Sequence, residues 1–137
     1  MANTTRQSIL LNIDTTIKNI AAIKTVILNK LSISDLETYP FPICFIFSGG
    51  ENKVWDVLNY ESWEWPVYIE VWALDTDIET YLGSIHNEMA KDYTRGGYAL
   101  DCERIGTSAP WLVDPDNNLS GMLIEFRVKY RNVYGTA

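Results

Sequence analysis

Met122-Leu-Ile-Glu-Phe-Arg-Val-Lys-Tyr-Arg131 is the stretch that decides the fold. Met122, Ile124, Phe126, Val128 and Tyr130 fall on one side, and Glu125, Arg127, Lys129 and Arg131 on the other. A period of two with a clean apolar side is the pattern of a strand with one face in a core and one in water. Such a strand needs partners and a covering layer, and both must come from upstream.

Reading backwards from it, Gly106–Gly121 is expected to be a long loop carrying Pro110, Trp111, Pro115 and the polar run Asp114-Pro-Asp-Asn-Asn118. Loops of that length in small domains are usually functional or mobile. Tyr98–Ile105 reads as a strand, with Ala99, Asp101 and Glu103 opposing Leu100, Cys102 and Arg104. Before it, a helix is expected from about Asp77 to Tyr93. Thr76 and Glu79 have capping-box spacing, Ile78, Tyr81, Leu82, Ile85 and Met89 form a stripe, and Thr94-Arg-Gly-Gly97 ends it. Trp63–Leu74 is the next strand, alternating Val67, Ile69, Val71 and Ala73 with Tyr68, Glu70, Trp72 and Leu74. Pro66 has no N–H, so it must sit where the ladder needs none, at an edge or a bulge.

Further upstream, Asn59–Ser62 reads as a turn and Lys53–Leu58 as a strand. Ser48-Gly-Gly-Glu-Asn52 reads as a hairpin loop. Ile43–Phe47 is continuously apolar, as a strand buried on both faces would be. Leu31–Pro42 is a connector, because Tyr39-Pro-Phe-Pro42 resists helix. The first helix is expected over Thr5–Lys30, capped by Thr4 or Thr5, with Ile9, Ile13, Ile17, Ile20, Ile27 and Leu31 in one stripe. Thr25–Leu28 has a strand alternative, but the length of the periodic run favours helix. The β-branched residues make this a poor isolated helix, so it needs a sheet to lie on. The expected fold is α/β in the α+β sense: one domain over residues 1–137. It has a mostly antiparallel sheet of about five strands with both helices packed on it.

Charge is uneven along the chain. The total is −7, yet residues 35–120 carry sixteen acidic and four basic residues, while both ends are net basic. An acidic middle argues against a grip on nucleic acid, which needs a basic stripe. Five Trp and eight Tyr supply rings of the kind that both cores and interfaces use. No apolar run is long enough to span a bilayer, and the N-terminus lacks the pattern of a signal peptide. Cys44 and Cys102 read as two reduced thiols in a cytoplasmic setting, with a disulfide between them left open.

Catalytic constellations are not visible. His86, the single histidine, has no recognisable nucleophile or carboxylate partner in sequence. Asp114-Pro-Asp-Asn-Asn118 offers oxygen ligands, but lacks the glycine and terminal glutamate of a calcium loop. Ser48-Gly-Gly50 is too short to cradle phosphate and no Gly-Lys-Ser/Thr follows. Glu61 with Glu64, and Asp101 with Glu103, are carboxylate pairs that could in principle serve a glycosidase, but carboxylates are abundant here and their pairing carries little weight. The sequence therefore assigns no catalytic, cofactor-binding or metal residue.

Three segments carry a family resemblance. They are Tyr39-Pro-Phe-Pro-Ile-Cys-Phe-Ile-Phe-Ser-Gly-Gly-Glu51, Trp65-Pro-Val-Tyr-Ile-Glu-Val-Trp72, and the closing Leu123-Ile-Glu-Phe-Arg-Val-Lys-Tyr130, with Asp77-Ile-Glu79 opening the intervening helix. In this order the chain resembles the tail terminator, or tail completion, family of long-tailed bacteriophages, of the minor tail protein U type. The resemblance implies no enzyme activity and no cofactor. It implies a homohexameric ring that caps the finished tail tube, with partners in further copies of itself, the tube protein and a neck or head-completion protein. Its place would be the virion's tail and neck, assembled in the host cytoplasm, without a membrane and without tight nucleic-acid binding. Another head–tail connector or neck protein is the nearest alternative, and a small carboxylate-dependent hydrolase is the alternative from a different class.

Overall fold

A computed structural model of the chain describes residues 4–28, 41–57, 60–74, 76–114, 116 and 118–133. Two strands of fifteen residues form its axis: β4, Tyr60–Leu74, and β7, Leu119–Val133. They pair antiparallel at every position, from Tyr60 opposite Val133 to Leu74 opposite Leu119. The remaining strands are β1 (Thr25–Leu28), β2 (Ile43–Ser48), β3 (Asn52–Val57), β5 (Asp101–Thr107) and β6 (Trp111–Asp114). The helices are α1, Thr5–Lys18, and α2, Ile78–Ala90.

Each long strand is flanked by a line made of two shorter ones. β2 pairs with the second half of β4 and β3 with its first half, both antiparallel. On the other side, β5 and β6 divide β7 between them in the same way. β1 lies outside β2 and pairs with it in parallel. Seven strands thus make five lines, in the order β1, β2 with β3, β4, β7, β5 with β6. The sheet has seven strands rather than the expected five or so, because two of the lines are each broken in two, and all but one pairing is antiparallel. One sheet carries both helices, so the described residues form a single domain.

Ser48–Asn52 is not a hairpin loop. It is the break between two collinear strands, and the hairpin lies between β3 and β4 instead. Pro66 explains the break. Gly49 N–H donates to the Pro66 carbonyl at 3.0 Å, so the backbone of Pro66 faces this gap, where its missing N–H leaves no ladder bond unmade. Gly49 is required there, since a Cβ would come within 2.9 Å of the Pro66 ring. Gly106–Gly121 is likewise not one long loop. Only Ser108–Pro110 separates β5 from β6, and Ser108 stays in register by bonding Leu123 in both directions, at 2.8 and 3.0 Å.

The first helix stops twelve residues short of the expected Lys30. Thr4 and Gln7 form its capping box, with Gln7 N–H donating to the Thr4 hydroxyl at 3.2 Å and Thr4 N–H to the Gln7 amide oxygen at 2.7 Å. After Lys18 the chain turns, and Thr25–Leu28, three of its four residues β-branched, takes the strand alternative beside β2. Ile9, Ile13, Ile17 and Ile20 are buried as the stripe requires. Ile27 belongs to the other face of the sheet, so its match to the helical period was accidental. Leu31 and Lys30, and most of the Leu31–Pro42 connector, lie outside the described residues. Leu58 and Asn59 do so too, while Tyr60–Ser62, expected in a turn, already belong to β4.

The second helix is also shorter than expected, and Thr76–Glu79 is not its capping box: Asp77 is the N-cap and makes no side-chain cap bond. The strand expected at Tyr98–Ile105 begins at Asp101. The helix ends at Ala90 with Lys91 as a right-handed C-cap, and beyond it Arg95, Gly96 and Gly97 all have positive φ, which turns the chain back to the sheet.

α1 and α2 cover one face. Beneath them lie Cys44 and Ile46 of β2, the alternate residues Trp65 to Ala73 of β4, and Met122 to Tyr130 of β7. The alternation of the closing strand is therefore realised. The opposite face holds a smaller cluster, in which Ile43, Phe45, Trp72 and Leu119 are buried. Phe45 and Trp72 meet edge to face at 5.3 Å.

Candidate interaction surface

The residues singled out for chemistry do not converge. His86 is half-buried on α2, and its Nδ1 has no hydrogen-bond partner among the described residues. Glu61 and Glu64 are three apart on β4 and so point to opposite faces. Asp101 and Glu103 share a face, in register with Lys129 and Arg127 of β7, and the Lys129 ammonium lies 3.8 Å from Glu64. In the Asp114–Asn118 run, Pro115 and Asn117 lie outside the described residues. Asn118 has a φ of 53° at the turn into β7. No group of three His, Cys, Asp or Glu that could hold a metal ion occurs among the described residues. A shallow cleft of about 200 Å³ on the face away from the helices is lined by Glu64, Tyr68, Glu125 and Arg127 among others. It is open and mixed in charge, and nothing buried in it is poised for proton transfer.

Both cysteines are free. Three strand spacings of about 4.8 Å separate their lines, far beyond disulfide reach. Burial raises the Cys44 thiol far above its ordinary value and pushes Cys102 up to about 11, although the Arg95 cation opposes the latter. Neither is a nucleophile in this environment.

Among the described residues three charged side chains that the sequence did not flag are buried, and one of them, Asp14 of α1, is paired with Lys18 at 2.8 Å. Arg95 is fully enclosed and donates to the backbone carbonyls of Met89, at 2.5 Å, and Asp92. Its other terminal nitrogen reaches Thr16 of α1 at 3.4 Å. A cation is thereby fixed at the C-terminal end of α2, where the helix dipole favours it, and ties that end to α1. Burial draws the Arg95 guanidinium below its ordinary value, partly offset by Cys102 and Asp92. Burial alone would raise Asp92, but the Gly96 N–H, the Thr94 hydroxyl and Arg95 outweigh it and hold the carboxyl below its usual range. Glu70, on the other face, is 3% exposed and accepts from the Trp72 indole N–H at 2.5 Å. Strand alternation had placed it on the side of Tyr68, Trp72 and Leu74; what covers that side is a tertiary fact.

What the sheet does present is an outer line on which exposed apolar side chains are interleaved with the exposed Glu103 and Arg104. Leu100, Ile105, Trp111 and Leu112 are exposed along the β5–β6 line, Leu112 by 62%. The Trp111 indole lies over Gly121, where any Cβ would sit 2.7 Å from the ring. Tyr93 and Tyr98, exposed in the α2–β5 turn, add two further rings near the same end of the chain path.

No family model matches this chain, and comparison with curated proteins finds no match. Among the described residues, no helix is long and apolar enough to cross a membrane.

Proposed function

We infer that this protein is a structural component of a phage virion, a ring that caps the tail tube, ends its polymerisation and offers the surface to which the neck joins. One observation carries the reading: four large apolar side chains, Leu100, Ile105, Trp111 and Leu112, are exposed along one outer line of the sheet. A side of that kind suits assembly with another protein surface. The sequence likeness to tail terminators supplies the identity of the assembly, and the two-layer α+β fold agrees with it. The ring is a homohexamer, its partners are the tube protein and a neck or head-completion protein, and it does no catalysis. It does not hold DNA tightly.

Deleting the gene from its phage tests this. Tails should then lose length control or fail to join heads. Normal joined virions would remove the reading. A neck or head-completion role is the second reading; tails of normal length that fail to join would favour it.

A further inference from the structure

We draw no further inference here: the strongest candidate, the outer β5–β6 line of the sheet with its exposed Leu100, Ile105, Trp111 and Leu112, carries nothing beyond the reading above because nothing in the structure shows what covers it.

Discussion

Gly121 and Trp111 show how single residues hold the two-part strand lines together. The indole occupies the space a side chain would take on β7, so β6 is seated by the absence of a Cβ. Gly121→Val should cost about 1–3 kcal/mol, measured by denaturant unfolding, because the ring must be displaced. Adding Trp111→Ala should return part of that loss; a double variant no more stable than Gly121→Val would show that the indole does not seat there. Arg95 works in the opposite sense, as a cation placed where carbonyls end a helix. Arg95→Met keeps much of the apolar stem but leaves the Met89 and Asp92 carbonyls without their donor, and should cost roughly 2–3 kcal/mol. A melting curve superposable on the parent's would contradict its role as a tie between α1 and α2. None of this was legible in sequence. Arg95 looked like part of a helix stop, and Gly121 like the end of a loop, because both depend on neighbours brought in from far along the chain.

At the scale of elements, the apolar period was the legible quantity. It placed Ile9, Ile13 and Ile17 on α1, Ile78, Leu82, Ile85 and Met89 on α2, and the alternate residues of β7 in the core. All of them are buried. Ends were less legible, since the Ile-rich run after Lys18 satisfies helix and strand periods alike over a few residues. Pairing with β2 decides it. The hairpin expected at Ser48–Asn52 failed for a related reason: glycines mark a change of backbone path, not its direction. Pro66 held the answer, needing a gap opposite. Ile17→Asp would place an unpaired charge beneath the sheet and should cost about 3 kcal/mol or more, or unfold the domain. Circular dichroism and melting equal to the parent's would mean α1 is not docked there. The Asp92 turn adds a pH dependence. Its carboxyl is held below the unfolded value, so its contribution is present above a pH of about 4 and lost as pH falls through the folded value. Asp92→Asn should flatten that part of the stability–pH curve; an unchanged acid limb would contradict it.

For the whole molecule, the fold class followed from the order of elements, whereas the site did not. An interaction edge leaves no motif; β5 was read as a strand, but β6 was read as part of a loop because Pro110 and the polar run around Asp116 interrupt it. The charge distribution was readable, and it bears on DNA. With sixteen acidic residues against four basic ones over residues 35–120, like charge repels the phosphate backbone and few cations can release counterions. Duplex DNA should show no measurable binding at physiological salt, by fluorescence anisotropy. Micromolar binding that weakens steeply with salt would contradict this. The central claim is the capping ring, and it is tested most directly by electron microscopy of the purified chain mixed with tail tubes. Closed rings of six copies should then sit at tube ends, and those tubes should stop growing. Tubes that keep growing with bare ends, beside a chain that stays monomeric at high concentration, would contradict it.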